Sequence, residues 1–284
     1  MEPCFPSMNI NDFLRFLDEP NSQARIIEEY NLIISKQEEE IRDRLNKKFK
    51  GCFLNLQFLY QGPRSKNPVF PEASFIDGYE TKQKFICTKN PEEKECDMFW
   101  ETVWENKVEI IVMMCKLTDK SYQYWSPKEG YVLIGKKFQI TTLLIMINSH
   151  YTLTLLTLTS SERKPKCRRM LFHYQYTAWP RDKFPHQPDA FIDFYHYINN
   201  TYVKLRNRET KKKFPPILVH CLDGVSSSLV FCVFDICKTQ FDKTGILSLP
   251  NVLYKIQEQK HGSIKHSDLY ALCYQIVKTY LDGI

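Results

Sequence analysis

The chain has 284 residues, of which 43% are hydrophobic, and this length can bury a core without disulfides or metals. Its 9 glycines, 15 prolines and 14% aromatic content exclude a disordered, collagenous or low-complexity chain. The formal net charge of +6 comes from 39 basic and 33 acidic residues, and so diffuse an excess argues against nucleic-acid binding.

Residues 9–48 predict two helices. Asn9 or Asn11 can cap a short helix that ends near Pro20, and Asn21 can cap a longer one. In the longer stretch apolar residues recur at steps of three and four, at Ile26, Ile27, Tyr30, Ile33, Ile34, Ile41 and Leu45. We expect residues 1–40 to form a helical extension packed on a domain of residues 41–284.

Runs of β-branched and other apolar residues predict the strands, and helical periodicity predicts the later helices. The predicted strands cover residues 53–60, 108–117, 131–140, 141–147, 151–159, 168–176 and 215–221. The predicted helices cover residues 96–107, 188–210, 227–238 and 266–281. This order indicates an α/β (α+β) fold, a single domain with a central twisted mixed sheet flanked by helices.

The most apolar stretch is the segment 141–159. It is interrupted by Asn148, Ser149 and His150, and it is rich in threonine, so it predicts two paired strands and no membrane span. The first residues lack the basic and apolar regions of a secretory signal. We therefore expect a cytoplasmic protein.

The ten cysteines stand singly, without a CxxC pair and without histidines at zinc-ligand spacing. Several interrupt apolar runs, as Cys115 and Cys232 do, where a reduced cysteine acts as a small hydrophobic residue. This usage is typical of a reducing compartment. We expect no metal site and no cofactor.

The segment PPILVHCLDGVSSSLVFCVFD, at residues 215–235, carries the most chemical information. A buried strand ends at Cys221, a short loop with Gly224 follows, and a helix begins near Ser228. The N–H groups of such a loop and the helix dipole stabilise phosphate and lower the pKa of a cysteine at its base. Cys221 therefore stands where a nucleophile would stand, although a lone cysteine at a strand end is also typical of a buried structural thiol.

Segments along nearly the whole chain, in the right order, resemble the protein tyrosine phosphatases. They are FPEASFIDGYETKQKFICTKNP, FWETVWENKVEIIVMMCKL, YWSPKEG, YTAWPRDKFPHQPDAFIDF and HCLDGVSSS. The signature of that family is His-Cys, five residues, Arg, and then Ser or Thr. The resemblance implies that Cys221 occupies the nucleophile position, and the departures from the family pattern are as informative as the matches.

The two departures that matter most concern the chemistry itself. The signature arginine, whose planar fork binds two phosphate oxygens, is replaced by Ser227, and a neutral hydroxyl supplies no charge. The general-acid position, directly after the Trp179-Pro180 pair, holds Arg181, whose guanidinium keeps its proton at neutral pH. Asp182 follows it, but a shift of one residue on a tight loop redirects the side chain.

The resemblance also assigns the positions around the nucleophile. The phosphate-binding loop is Leu222, Asp223, Gly224, Val225, Ser226 and Ser228, in which Asp223 would place a negative charge beside an incoming phosphate. Lys265 and Leu269 replace glutamines that position the hydrolytic water, and Phe49 replaces a stacking tyrosine. Gly51 stands at the position of an aspartate that grips the peptide.

Loss of the arginine costs roughly 10³ to 10⁵ in rate and loss of the general acid roughly 10² to 10⁴. Even if the two losses are not fully additive, the rate falls by a factor of about 10⁵, which corresponds to about 7 kcal/mol of activation free energy. We therefore expect an inactive, phosphatase-like protein that acts by binding another protein. Two alternatives stay open: a slow tyrosine phosphatase that uses Asp182, and a module that binds phosphotyrosine without turnover.

A second resemblance concerns the segments NINDFLRFLDEP and KFICTKNP, which are similar to the tyrosine phosphatase-like proteins of bracoviruses. Those viruses are carried by parasitoid wasps and deliver such proteins to insect cells. The resemblance implies a monomer in the host-cell cytoplasm that interferes with host signalling or immune responses. Its expected partner is a host protein, such as a phosphotyrosine protein.

Overall fold

A computed structural model describes residues 5–49, 70–118, 121–161, 167–179, 188–207 and 214–284. The strands within these ranges are β1 (Met8–Asn9), β2 (Ser74–Ile76), β3 (Phe85–Lys89), β4 (Ile110–Met113), β5 (Val132–Ile134), β6 (Phe138–Ile147), β7 (Tyr151–Ser160), β8 (Arg168–Tyr176), β9 (Ile217–Cys221) and β10 (Ile246–Leu247). The helices are α1 (Ile10–Asp18), α2 (Ser22–Phe49), α3 (Cys96–Glu105), α4 (Pro188–Asn207), α5 (Ser227–Thr244), α6 (Leu249–Gln259) and α7 (Ser267–Asp282).

Eight of these strands form one mixed sheet in the order β2-β3-β9-β4-β8-β7-β6-β5. The strands β3, β9, β4 and β8 are mutually parallel, and the strands outside them pair antiparallel. β1 and β10 form a separate antiparallel pair. The predicted mixed sheet is confirmed, and the strand that ends at Cys221 lies inside it between β3 and β4.

The sheet separates two hydrophobic cores. Side chains alternate along β9, so that Ile217, Val219 and Cys221 belong to the larger core while Leu218 belongs to the smaller one. Helix α5 lies in the larger core and is buried from Ser227 to Cys237, as expected for a helix enclosed on all sides. The smaller core lies on the other face and contains the tryptophans of α3, Trp100 and Trp104.

The hairpin β6–β7 confirms that the apolar segment 141–159 is two paired strands. The predicted division between strands at residues 140 and 141 is wrong. The Gly135 N–H donates to the Phe138 carbonyl at 2.8 Å and closes a turn, so β5 ends there and β6 runs unbroken. Within the described residues, the structure contains no helix that is long and apolar enough to cross a membrane.

Helix α6 and the short strands β2 and β3 were not predicted from the sequence. The signal for α6 was present, because the Ser248 hydroxyl caps it by accepting from the Asn251 N–H and Pro250 lies in its first turn. The predicted strand at 53–60 lies outside the described residues.

The N-terminal helices pack on the C-terminal part of the chain. The Asn9 side chain caps α1 by accepting from the Asp12 N–H at 3.0 Å. On α2, the Glu29 carboxylate accepts from the hydroxyls of Tyr270 and Tyr274 on α7, at 2.6 and 2.7 Å. Helix α2 runs across the expected boundary at residue 40. The division into a helical extension and a domain stays a prediction.

A buried ion pair joins the start of β3 to α5. The Lys84 Nζ lies 2.7 Å from both carboxylate oxygens of Asp235, and the Tyr195 hydroxyl donates to Asp235 Oδ1 at 2.8 Å. Both charged side chains are almost completely buried. Removal of one partner therefore leaves an uncompensated charge inside the larger core.

We predict that Asp235→Ala lowers the free energy of unfolding by about 3–5 kcal/mol, because Lys84 then lacks its counter-ion. Chemical denaturation followed by circular dichroism measures this change. Asp242→Ala, on the exposed end of the same helix, is the matched control and should cost about 1 kcal/mol or less. Equal costs for the two variants would contradict the assigned importance of the buried pair.

Candidate active site

The loop of residues 222–226 joins the end of β9 to the start of α5 and lies against the end of β3. Gly224 has φ +74, in the left-handed region that favours glycine. A Cβ at this position would lie 2.5 Å from the Lys89 nitrogen and 2.6 Å from the Thr88 carbonyl carbon. Only glycine therefore lets the loop approach the neighbouring strand so closely.

Cys221 lies at the base of this loop and is buried. Its Sγ accepts from the Gly224 N–H at 3.2 Å and lies 3.1 Å from the Ser228 Oγ. The thiol donates to Asp223 Oδ1 at 3.2 Å. The sulfur thus has a carboxylate oxygen beside it.

The pKa of Cys221 is raised, which contradicts the expectation that the loop lowers it. Burial is the main cause, and the negative charge of Asp223 adds to it, while the hydrogen bond with Ser228 works in the opposite direction. Because its thiol also donates to that carboxylate, Cys221 holds its proton at neutral pH.

The carboxylate of Asp223 accepts three hydrogen bonds from residues of this loop. Oδ1 accepts from the N–H groups of Val225 and Ser226, each at 3.1 Å, and Oδ2 accepts from the Ser226 hydroxyl at 2.6 Å. The Lys265 Nζ lies 3.9 Å from Oδ2. Partial burial opposes ionisation of Asp223, but these hydrogen bonds and Lys265 outweigh it and lower the pKa, so the carboxylate is an anion at neutral pH.

Ser227, which the resemblance assigns to the position of the family arginine, is buried, and it is hydrogen-bonded to the sheet. Its hydroxyl donates to the backbone carbonyl of Met114, at the end of β4, at 2.8 Å. The Met114 N–H in turn donates to the carbonyl of His220 at 2.8 Å. The side chain at this position therefore fastens the start of α5 to β4.

The turn before α7 supports the loop from the other side. Ile264 has φ 53, and a β-branched residue in this region is strained by about 1–3 kcal/mol. Its N–H donates to the Val225 carbonyl at 2.8 Å, and its carbonyl accepts from the Tyr30 hydroxyl at 2.9 Å. Helix α2 thus holds the residue next to Lys265. Leu269, the other position that the resemblance assigns to a glutamine, is buried in the core.

A buried polar chain lies behind the nucleophile position. The Tyr124 hydroxyl lies 2.6 Å from His220 Nε2 and 2.8 Å from His173 Nε2. Burial lowers the pKa of His173 to about 3, and burial together with the charge His173 would carry holds the pKa of His220 well below its usual value. Both rings are neutral at neutral pH.

Leu222 is half-exposed and lines an open cleft of about 430 Å³ beside the loop, together with Asn90 and Tyr122. Phe49 is the last residue of α2, and its side chain lies outside the described part of the structure. Arg181 also lies outside the described residues.

The same holds for Gly51 and Asp182, so the predictions for these positions stay predictions. No group of three or more His, Cys, Asp or Glu that could hold a metal ion occurs among the residues that the structure describes.

The loop after Cys221 was predicted from the sequence, but the contacts that determine its chemistry were not. The Asp223–Lys265 pair carried a signal, because both substitutions introduce charge and the two charges are opposite. The hydrogen bonds through Met114, Tyr30 and Ile264 had no signal in the sequence, because they join residues that are far apart in the chain.

A cysteine at the end of a parallel strand, followed by an anion-binding loop and a buried helix, defines the class of cysteine-dependent phosphatase-like proteins. The chain belongs to the protein tyrosine phosphatase family, whose model, described as Protein-tyrosine phosphatase, matches residues 55–279.

Similar proteins come from a virus of insects and from humans. Probable tyrosine phosphatase protein J2 of Microplitis demolitor bracovirus is 38% identical over 96% of this chain and 94% of its own length. Probable tyrosine phosphatase protein J4 of the same virus is 31% identical over 96% of this chain and 92% of its own. Human tyrosine-protein phosphatase non-receptor type 9 is 31% identical over 74% of this chain and 37% of its own length. The predicted similarity to bracovirus proteins is confirmed.

We predict that iodoacetamide alkylates Cys221 far more slowly than the exposed Cys167 at pH 7, because the Cys221 thiol is buried and protonated. Timed alkylation followed by peptide mass spectrometry compares the two sites within one molecule. Faster modification of Cys221 would show a thiolate and would contradict the assigned protonation state.

We predict that stability falls as the pH is lowered from 6 to 5, since the unfolded histidines take up protons that buried His173 and His220 cannot. Each of the two histidines lowers the free energy of unfolding by about 1 kcal/mol over this pH interval. His173→Gln should remove its share of the slope in denaturation curves at the two pH values. His266→Gln, at an exposed position, is the control for replacing a histidine by glutamine. If the dependence of the unfolding free energy on pH is the same in His173→Gln as in the natural protein, the assigned role of His173 is refuted.

Proposed function

We propose that this protein is a catalytically inactive member of the tyrosine phosphatase family that acts by binding another protein. The observation that carries the proposal is the state of Ser227. At the position of the arginine that binds and neutralises phosphate, a buried hydroxyl donates to the Met114 carbonyl and offers the loop no positive charge.

The protonation state of Cys221 supports the same proposal. Nucleophilic attack on phosphorus needs a thiolate, and this thiol is kept protonated by burial and by the carboxylate of Asp223. The replacement of the general acid by Arg181, read from the sequence, adds a further loss. Together these changes remove about 10⁵ or more in rate.

Binding of a protein partner requires only a preserved surface. The loop keeps a defined backbone through Gly224, and beside it Leu222 presents a half-exposed apolar side chain at the edge of an open cleft. An apolar side chain at the mouth of a former catalytic site suits contact with another protein. The surface that once held substrate then serves as a docking surface.

The bracovirus relatives support a more specific setting for this activity. By analogy, the protein acts as a monomer in the cytoplasm of the infected host cell, where it binds a signalling protein and so interferes with signalling or immune responses.

The direct test is turnover. Purified protein should hydrolyse p-nitrophenyl phosphate and a phosphotyrosine peptide no faster than the Cys221→Ser variant, because neither the nucleophile nor the charge clamp is in place. Human tyrosine-protein phosphatase non-receptor type 9 assayed in parallel shows that the assay works. Hydrolysis that Cys221→Ser abolishes would overturn the proposal and favour a residual enzyme.

A further inference from the structure

We infer that the loop carries its own anion: the carboxylate of Asp223 occupies the oxyanion site, and Lys265 supplies the opposing charge. This inference rests on the proposed function and gives it a physical cause. A side chain of the loop itself blocks the site, in addition to the loss of the arginine. The loop is therefore a latent oxyanion site that opens when the carboxylate is removed.

The geometry supports occupation of the site itself. Asp223 Oδ1 lies 3.2 Å from the Cys221 Sγ, and a group that this sulfur attacks must itself come within about 3–3.5 Å of it. The same oxygen accepts from two successive loop amides, those of Val225 and Ser226. A phosphate would need these N–H groups, and it would meet a negative charge in their place.

The charges of the site agree with this assignment. An anion held by loop amides needs a cation nearby, and with Ser227 in place of the arginine no guanidinium stands at that position. Lys265, at a position where the family pattern has a neutral glutamine, lies 3.9 Å from Asp223 Oδ2. Its backbone neighbour Ile264 is held by Val225 and Tyr30. The two departures from the family pattern therefore form one pair.

A simpler interpretation is that Asp223 only caps the first turn of α5. A capping carboxylate accepts from the exposed amides, and its removal costs about 1 kcal/mol of stability. Capping does not require a contact with the cysteine sulfur or a lysine from another element, and both are present here. The two interpretations differ in what happens to oxyanion binding when the carboxylate is removed.

The experiment measures binding of inorganic tungstate by calorimetry to the natural protein and to Asp223→Ala. We expect Asp223→Ala to bind at least about tenfold more tightly, because two amides become free and a like charge is gone. Asp242→Ala, with its carboxylate at the far end of α5, should bind like the natural protein. Equal tungstate affinity in Asp223→Ala and the natural protein would overturn the inference.

A second measurement, on a more conservative variant, tests the inference in case Asp223→Ala folds poorly. Asp223→Asn keeps the shape and a hydrogen-bond acceptor but removes the charge, so Cys221 should be alkylated by iodoacetamide faster than in the natural protein. Lys265→Ala should not increase this rate, because the carboxylate remains beside the sulfur. An unchanged rate in Asp223→Asn would count against an internal anion.

Failure of this inference is distinguishable from failure of the proposed function. If Asp223→Ala binds no more tungstate while the natural protein shows no turnover, the internal anion is refuted and the inactive protein stands. If the natural protein shows turnover that depends on Cys221, the proposed function is refuted whatever the tungstate result. The inference also predicts that the natural protein binds phosphorylated and unphosphorylated forms of a peptide equally.

Discussion

The close approach of the loop at Gly224 to the end of β3 is the constraint on which the site depends. It fixes the path of the backbone between β9 and α5, and it leaves the amides of Val225 and Ser226 pointing to one place. Whatever anion stands there acquires those hydrogen bonds. In this protein the anion is a side chain of the loop itself.

From that point the substitutions around Cys221 form a coherent set. A carboxylate beside the sulfur raises its pKa, a lysine from the turn before α7 balances the carboxylate, and a serine at the arginine position ties the helix to β4. Under the proposed function each change removes a catalytic requirement, and each leaves its polar atoms with a partner. A stable fold is therefore compatible with the proposed loss of catalysis.

The N-terminal helices contribute to the same region. The hydroxyl of Tyr30 on α2 holds the carbonyl of Ile264, a strained residue whose N–H holds the loop at Val225. The strain persists because both backbone groups of Ile264 are bonded. The helices that the sequence set apart as an extension thus reach the site through one intermediate residue.

The sequence by itself determined the family, the mixed sheet and the strand-loop-helix around Cys221, because these depend on local periodicity and on the order of motifs along the chain. It placed the division between β5 and β6 wrongly and missed α6, where a turn and a cap decide the boundaries. Only the tertiary structure decided the protonation state of the Cys221 thiol. Its raised pKa comes from burial and from Asp223, and the Lys265 Nζ, from a distant part of the chain, lies 3.9 Å from that carboxylate. Electrostatic effects of this kind depend on distance and burial, and neither is set until the chain has folded.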